Sequence, residues 1–304
     1  MNEKIEYKVL ARKYRPQTFA DLIGQETLVQ ILTNAITTNR IANAYLLTGV
    51  RGVGKTTTAR LIAMSLNCEN KKDDSCEPCG TCESCKSIRS DHNLDVIEMD
   101  AASKTGVDDV REIIDNVKYK PVNCKFKIFI IDEVHMLSKS AFNALLKTLE
   151  EPPEHVKFIF ATTEVKKIPV TILSRCQRFD LKRVESKDLI QHLKRISELE
   201  KVKVDEDAIS LLVRAGDGSV RDSLSLLDQA IINTDTSVSA ETVANMLGLA
   251  DRGKIYELLG HIAKGQASES LDLFRNLYNS GADILMIFEE LLNVIHSITQ
   301  IKIS

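Results

Sequence analysis

The sequence predicts an α/β fold, with a mostly parallel sheet of the P-loop type followed by helical domains. Three observations support this prediction. A glycine-rich loop lies between an apolar strand pattern and a helical pattern at residues 44–66, and further apolar runs alternate with helical patterns up to about Leu181. Beyond that residue only helical patterns continue. Alternation of this kind is typical of parallel sheets with crossover helices.

Four short apolar runs are predicted to form the strands. They are Ala44–Thr48, Asp95–Met99, Lys127–Ile131 and Lys157–Ala161. Apolar residues at helical spacing mark crossover helices around Val107–Val117 and Phe142–Leu149. The following Glu-Glu-Pro-Pro sequence ends the second helix, because proline cannot continue it.

Helical patterns account for the rest of the chain. They lie at Asp188–Lys201, Asp205–Ala215, Ser219–Asn233, Ala240–Leu247, Gly253–Lys264, Ala267–Ser280 and Asp283–Ile303. We therefore expect an α/β domain at 1–181, a small helical domain at 182–248 and a third helical block at 249–304. The last helix is apolar over more than one face, so we expect that another subunit covers it or that the third block is truncated.

Composition indicates a soluble globular protein of two or three domains. The 304 residues are 43% apolar and 27% charged, and 40 basic against 43 acidic residues give a net charge of −3. Bulk charge therefore gives no nucleic-acid signature, and such binding would need a local patch. The sequence lacks a run of about 18 apolar residues and its first residues lack a signal-peptide core, so we expect a cytoplasmic protein without membrane association.

Residues Gly49–Thr56 read GVRGVGKT, a complete phosphate-loop motif. Glycines permit the backbone angles that turn successive N–H groups toward phosphate oxygens. Lys55 is spaced to reach the outer phosphates, and the Thr56 hydroxyl is placed to bind Mg²⁺. The predicted nucleotide-binding residues of the loop are Gly49, Val50, Arg51, Gly52, Val53, Gly54, Lys55, Thr56 and Thr57.

The run that ends in Asp132-Glu133 predicts the second half of a nucleotide site. Asp132 follows a buried strand and is suited to hold Mg²⁺, whereas Glu133 is suited to orient or deprotonate the attacking water. An acidic pair after a strand also serves as a helix cap, but its place after a phosphate loop favours the hydrolytic interpretation. His135 has no metal-ligand spacing around it, so a structural role is expected.

Five of the seven cysteines crowd residues 68–85. Cys79, Cys82 and Cys85 form a CxxCxxC pattern, and with Cys68 they supply four thiolates for a tetrahedral zinc site. Such a short loop with little apolar content would gain its order from a metal. Free or redox-active thiols and an iron–sulfur cluster remain alternatives.

Five ordered motifs together resemble the AAA+ clamp-loader ATPases, in particular the γ/τ family of bacterial DNA polymerase III. They are ARKYRPQTFADLIGQE at Ala11–Glu26, GVRGVGKT at Gly49–Thr56, IIDEVHML at Ile130–Leu137, ILSRC at Ile172–Cys176 and GSVRD at Gly218–Asp222. The resemblance spans essentially the whole chain. It implies an AAA+ domain with an inserted zinc module, then a helical lid and a helical collar.

The resemblance also assigns roles to individual residues. Thr163 takes the sensor-1 position, Arg221 takes sensor 2 on the lid, and Arg175 resembles the arginine finger that acts on ATP held by the adjacent subunit. The adenine is expected to lie against the N-terminal segment. Its implied contacts are Ala11, Tyr14, Arg15, Pro16 and Ile23.

The same resemblance implies the zinc ligands and the partners. A Pro-Cys-Gly turn in the family matches Cys79, which assigns Cys68, Cys79, Cys82 and Cys85 as ligands and leaves out Cys76, a fifth cysteine that departs from the family pattern. The implied partners are the delta and delta prime subunits, further gamma/tau copies, the sliding clamp and primed DNA. The candidate DNA-contacting residues are Ser103, Lys104, Thr105, Arg111 and Lys139.

The leading hypothesis is thus an ATP- and Mg²⁺-dependent switch that opens a sliding clamp and closes it around primed DNA. The alternative hypothesis for an enzyme is another AAA+ machine, such as a branch-migration motor. The cysteine module and the apolar third block disfavour this alternative. A nucleotide-binding scaffold is disfavoured because Lys55, Thr56, Asp132, Glu133 and Arg175 are all present.

Overall fold

A computed structural model of the chain describes residues 7–72, 75–234, 237–248, 252–279 and 283–303. These residues cluster into two compact units. One comprises residues up to 189 together with 216–225, and the other comprises 190–215 together with residues from 226 onward. The chain therefore passes between the two units more than once.

The first unit is built on a five-stranded sheet with the order β2-β3-β4-β1-β5, in which every pair is parallel. The strands are β1 (Ala44–Thr48), β2 (Val96–Asp100), β3 (Lys127–Asp132), β4 (Val156–Thr162) and β5 (Gln177–Asp180). The four predicted strands are confirmed, with β1 at its predicted bounds and the others displaced by one residue at one or both ends. The sequence did not predict β5, which reads QRFD and has a single apolar residue.

Helices cover both faces of this sheet. The α-helices that lie wholly in the first unit are α1 (Leu10–Lys13), α2 (Glu26–Thr37), α3 (Lys55–Asn67), α4 (Glu83–Arg89), α5 (Val107–Val117), α6 (Lys139–Glu150) and α7 (Val170–Leu173). On one face, α2 and α3 pack through Leu32 and Ile62 against Tyr45 and Leu47. On the other, α5 and α6 pack against Phe129 and Phe158. Burial on both faces explains the nearly continuous apolar runs of the central strands.

Polar residues collect where the parallel strands end. Asp132 of β3 lies opposite Asp100 of β2, and Thr48 of β1 lies between Thr162 of β4 and Asp180 of β5. In open α/β sheets, ligands bind beyond this carboxyl edge. The phosphate loop follows β1 and therefore lies at that edge.

Asp95, just before β2, holds a loop in place by accepting three backbone hydrogen bonds. Its side chain is buried, and its carboxylate accepts from the amides of Val122 at 2.7 Å, Asn123 at 2.7 Å and Cys124 at 2.9 Å. Burial acts to raise the pKa of Asp95, but these amides outweigh it, so its pKa lies below the usual value.

Replacing Asp95 with asparagine is expected to lower the free energy of unfolding by about 1.5–3 kcal/mol, because the new NH₂ group would face amide donors. Asp115→Asn is the matched control, because Asp115 is 70% exposed and pairs with Lys118. Since the folded pKa of Asp95 is depressed, its contribution is complete above the unfolded pKa of about 3.9 and is lost as the pH falls through the folded pKa. Urea denaturation at several pH values measures both effects, and equal losses in the two variants would contradict the prediction.

The remaining helices and a short strand pair complete the chain. They are α8 (Ser186–Leu199), β6 (Lys203–Val204), α9 (Glu206–Gly216), α10 (Val220–Ile232), β7 (Ser237–Val238), α11 (Ala240–Met246), α12 (Arg252–Ala263), α13 (Ala267–Asn279) and α14 (Ile284–Ile303). The predicted helices are confirmed to within two residues at the ends that the structure describes, and Ser280 lies outside the described residues. The sequence did not predict β6 and β7, which pair in parallel and are two residues each.

The last helix of the second unit is apolar on more than one side, as the sequence predicts. Ile287, Leu291 and Val294 are buried in a cluster with α12 and α13. Other apolar side chains of α14 are exposed: Leu285, Phe288, Leu292, Ile295, Ile298 and Ile301. Among the described residues, the segment Ile284–Lys302, with a mean hydropathy of 1.3, is the one helix long and apolar enough to cross a membrane. This indication rests on length and composition alone, and two acidic residues, Glu289 and Glu290, lie within the segment.

Candidate nucleotide site

The phosphate loop has the backbone conformation that its glycines predict. Gly49, Gly52 and Gly54 have φ angles of 146°, 77° and 102°. A Cβ added to Gly52 would lie 1.9 Å from Ser219 Oγ, and one added to Gly49 would lie 2.6 Å from the Leu181 carbonyl oxygen. Side chains at these two positions are therefore excluded both by conformation and by space.

Helix α3 starts at the end of this loop and orients the reactive side chains. Lys55 Nζ donates to the carbonyl oxygens of Gly49 and Val50, both at 3.0 Å. Burial lowers the pKa of Lys55, whereas the Glu133 and Asp132 carboxylates act to raise it. The Thr56 hydroxyl donates to Asp132 Oδ2 at 2.5 Å. The two predicted Mg²⁺ ligands are thus adjacent, and hydroxyl and carboxylate oxygens are the ligands that this ion prefers.

Glu133 lies beside the end of β4 in a left-handed backbone conformation, with φ 45°. Its Oε2 accepts hydrogen bonds from the Thr163 hydroxyl at 3.1 Å and the Thr163 amide at 3.3 Å. The structure therefore brings the predicted catalytic acid and the predicted sensor threonine together.

His135 also contacts this carboxylate, which the sequence did not predict. Its Nδ1 lies 3.3 Å from Glu133 Oε2 and 3.0 Å from the Thr162 hydroxyl, and its Nε2 lies 3.5 Å from Glu164 Oε1. The only signal in the sequence was its position two residues after Glu133.

One residue of the N-terminal segment directly contacts the phosphate-loop helix. Arg15 Nε donates to the Thr57 hydroxyl at 3.0 Å. Burial lowers the pKa of Arg15, and the neighbouring Arg60 acts in the same direction. The other predicted adenine contacts are partly exposed: Ala11, Tyr14, Pro16 and Ile23.

The two remaining predicted arginines lie in different places. The amide of Arg221 donates to the Gly52 carbonyl at 3.2 Å, so the start of α10 adjoins the phosphate loop, and the Arg221 side chain is exposed. Arg175 instead follows α7, where its guanidinium pairs with Glu150 and donates to the Thr171 carbonyl at 2.6 Å. No hydrogen bond or ion pair joins Arg175 to the phosphate loop among the residues that the structure describes.

Comparison with known proteins identifies the family. Residues 24–185 match the family model described as DNA polymerase III, delta subunit, and residues 188–236 match the ATPase lid domain of DNA polymerase III clamp loader subunits. Residues 238–304 match domain III of DNA polymerase III subunits gamma and tau. The gamma subunit of Buchnera aphidicola from Acyrthosiphon pisum is 43% identical over 295 residues, which cover 97% of this chain and 81% of that protein. The chain belongs to the γ/τ family of DNA polymerase III subunits.

Longer γ/τ relatives extend beyond the matched region. The tau subunit of Escherichia coli is 46% identical over 300 residues, which cover 99% of this chain and 46% of that protein. The tau subunit of Bacillus subtilis is 44% identical over 288 residues, which cover 95% and 51%. The chain thus spans about half the length of the tau relatives that it matches.

A likeness to solved structures supports the fold. The RuvB Holliday junction branch migration motor of Thermotoga maritima has a TM-score of 0.55 and 18% identity, over 83% of this chain and 80% of that chain. At this identity the likeness extends to the fold alone. It agrees with the predicted α/β fold of a parallel sheet followed by helices.

The cysteine module of this γ/τ chain gathers four sulfur atoms. The Sγ atoms of Cys68, Cys79, Cys82 and Cys85 all lie within 4.8 Å of one another. Tetrahedral zinc with bonds of about 2.3 Å requires sulfur atoms about 3.8 Å apart, so this set fits the ion after a small contraction. Cys76 is outside the set and accepts a hydrogen bond from the Thr33 hydroxyl at 3.0 Å.

Local hydrogen bonds stabilise the thiolate form of one cysteine of this set. Burial acts to raise the pKa of Cys79, but hydrogen bonds that include the amides of Cys82 and Thr81 bring it down to about 6. Burial raises the pKa of Cys68 and Cys85. Cys124 and Cys176 are partly buried and lie outside the four-sulfur set.

The five predicted DNA-contacting residues are all exposed. Ser103, Lys104 and Thr105 precede α5, Arg111 lies within it, and Lys139 starts α6. The amide of Ser138 donates to the Thr105 carbonyl at 3.3 Å, which ties the two helix starts together. Arg111 pairs with Asp108 at 2.7 Å.

Proposed function

We propose that this chain binds and hydrolyses ATP as a subunit of a DNA polymerase III clamp loader that opens the sliding clamp and loads it on primed DNA. The observation that carries the proposal is the convergence of Lys55, Thr56, Asp132, Glu133 and Thr163 at one sheet edge in a member of the γ/τ family. A nucleotide-binding scaffold has no need for an acid beside the sensor threonine.

Each residue of the site has a distinct part in the proposed reaction. Backbone amides of residues 49–57 bind phosphate oxygens, and Lys55 contacts the outer phosphates. Thr56 and Asp132 would hold Mg²⁺, which neutralises charge on the transferring phosphoryl group. Glu133 orients the attacking water and accepts its proton, while Thr163 fixes the Glu133 carboxylate.

Further residues would complete the site from the lid, the N-terminal segment and the neighbouring subunit. Ala11, Tyr14, Arg15, Pro16 and Ile23 are proposed to contact the adenine, and Arg221 to reach the nucleotide from the lid. Arg175 is proposed to act on ATP held by an adjacent copy, which agrees with its pairing to Glu150 rather than to its own loop. These roles rest on the family motifs together with the positions described above.

We also propose three domains: an AAA+ nucleotide-binding domain at 1–181, a lid at 182–248 and a collar at 249–304. The family models that match 188–236 and 238–304 support the last two. The exposed apolar side chains of α14 would pack against other clamp-loader subunits, namely delta, delta prime and further gamma/tau copies. A cytoplasmic location follows from this function.

ATP turnover tests the proposal. The isolated chain is expected to turn over ATP slowly and to be strongly stimulated by the other subunits, the clamp and primed DNA. Strong turnover by the isolated chain with no response to the clamp would instead favour another AAA+ machine, such as a branch-migration motor. No nucleotide binding at all would rule out both enzymes.

We propose that zinc bound by Cys68, Cys79, Cys82 and Cys85 orders the cysteine module. Cys85→Ser is expected to lose the metal, whereas Cys76→Ser is expected to keep about one zinc per chain, because a serine hydroxyl can still bond Thr33. Atomic absorption on the purified variants measures this difference. Loss of zinc from Cys76→Ser with retention in Cys85→Ser would contradict the assignment.

DNA is proposed to contact Ser103, Lys104, Thr105, Arg111 and Lys139 through its phosphates. Lys104→Ala combined with Arg111→Ala is expected to reduce the slope of log affinity against log salt by about 1–2. Lys86→Ala combined with Arg89→Ala is the matched control, because it removes one lysine and one arginine charge from exposed positions on another helix, α4. An unchanged slope in the assembled complex would show that these residues do not bind DNA.

A further inference from the structure

The loop between Cys68 and Cys79 holds the N-terminal segment by a pair of hydrogen bonds. Glu77 Oε2 accepts from the Phe19 amide at 2.9 Å, and its Oε1 accepts from the Ala20 amide at 2.8 Å. These two amides begin the short 3-10 helix Phe19–Asp21, where backbone N–H groups have no partner within the helix. A single carboxylate thus caps this helix from a part of the chain about 57 residues away.

Both sides of this contact are anchored in the core. Phe19 is 1% exposed and belongs to the same apolar cluster as Cys76, Cys82 and Cys85. Cys76, directly before Glu77, is buried and bonds Thr33 of α2. Pro78, directly after Glu77, is buried and restricts Glu77 to an extended backbone. The carboxylate therefore approaches the two amides from a fixed position.

The same N-terminal segment contacts the nucleotide site at its other end. Arg15 donates to the Thr57 hydroxyl, one residue after Thr56. Gln17 links the two ends, because its side-chain amide donates to the Arg15 carbonyl at 2.6 Å and its backbone amide donates to Asp21 at 3.2 Å. Hydrogen bonds joined through the backbone of residues 15–21 thus connect the cysteine loop to the first turn of α3.

We propose that Glu77 is a positioning residue for nucleotide binding: it fixes residues 15–21 against the phosphate-loop helix and so couples the cysteine module to the affinity of the site. This inference rests on the proposed function, because it takes the site at Lys55 and Thr56 to bind ATP. The coupling is reciprocal, so bound nucleotide also steadies the cysteine loop. A carboxylate suits the role because it accepts from both amides at once.

Glu77→Gln tests the proposal in the full chain, because glutamine offers one oxygen and turns its NH₂ group toward the second amide. Glu83→Gln is the control, since Glu83 is exposed on α4 of the same module and the charge change is identical. The measurements are the Kd for a fluorescent ADP analogue, hydrogen exchange at the Phe19 and Ala20 amides, and zinc content. We expect the Kd of Glu77→Gln to rise about fivefold or more, with faster exchange at both amides and unchanged zinc.

The results separate the inference from the function on which it depends. An unaltered Kd in Glu77→Gln, when the unsubstituted chain binds the analogue, would overturn the inference alone. A higher Kd in Glu77→Gln without faster exchange at the Phe19 and Ala20 amides would also overturn it. So would an equal rise of the Kd in Glu83→Gln, or a loss of zinc from Glu77→Gln. Failure of the unsubstituted chain to bind the analogue would overturn the proposed function and this inference with it.

Discussion

Replacing Arg175 with alanine is expected to reduce ATP turnover by the assembled complex about 10³-fold or more, the range measured for arginine fingers supplied by a neighbouring subunit. The nucleotide affinity of the isolated chain should not change. The physical reason is the position of Arg175, whose guanidinium pairs with Glu150 and the Thr171 carbonyl. Its side chain is 31% exposed and can exchange these contacts, which are worth little at the surface, for phosphate oxygens of an adjacent copy.

Two further variants sharpen this prediction. Arg175→Lys keeps the charge but lacks the planar fork of donors, so it is expected to recover little of the lost turnover. Arg178→Ala is the control, because Arg178 lies in the same stretch and also pairs with a carboxylate, that of Asp180, in a more exposed setting. Its turnover should remain within about twofold of the unsubstituted complex.

Mixing of inactive copies tests whether the arginine acts on a neighbour. Complexes assembled from Arg175→Ala chains and Lys55→Ala chains contain some sites with an intact loop beside an intact arginine. Such mixtures should turn over more ATP than either variant alone. An isolated chain that loses turnover to the same degree as the complex would place Arg175 in its own site and contradict the prediction.

The sequence predicted the phosphate loop and the acidic strand because the responsible residues are neighbours in the chain. The spacing of Gly49, Gly52 and Gly54 is sufficient to predict the loop conformation. Asp132 and Glu133 stand at the end of a buried strand. The three central strands β1, β3 and β4 were predictable because burial on both faces requires continuous apolar runs. β5 was not predicted, because an edge strand that reads QRFD has no such run.

Contacts between distant parts of the chain could not be predicted from the sequence. Arg15 and Thr57 are 42 residues apart, and Glu77 and Phe19 are 58 apart, so no spacing rule connects them. Arg12 and Lys13 are exposed, whereas the fold places Arg15 of the same basic run against α3. Likewise, the hydrogen bond that Cys76 accepts from Thr33, 43 residues away, has no signal in the sequence.

Replacing Glu133 with glutamine is expected to lower kcat of the assembled complex about 10²- to 10⁴-fold, the usual worth of a general base. Nucleotide affinity should stay within about twofold, because Glu133 acts on the attacking water in the transition state. An interaction made only in the transition state affects turnover and not the affinity for bound nucleotide. Glutamine keeps the shape of the side chain and an oxygen that accepts from Thr163. Lys55, Thr56 and Asp132 would remain as they are, so phosphate and metal binding should persist.

The environment of Glu133 provides a matched control. Glu164 is 48% exposed and also faces His135, but at Nε2, at 3.5 Å, whereas Glu133 faces Nδ1. Glu164→Gln removes the same charge from the same histidine, so a general loss of negative charge would affect both variants equally. We expect near-normal turnover from Glu164→Gln, because water activation requires the carboxylate that Thr163 holds. A Glu133→Gln complex with more than about a tenth of normal kcat would show that this carboxylate is not the general base.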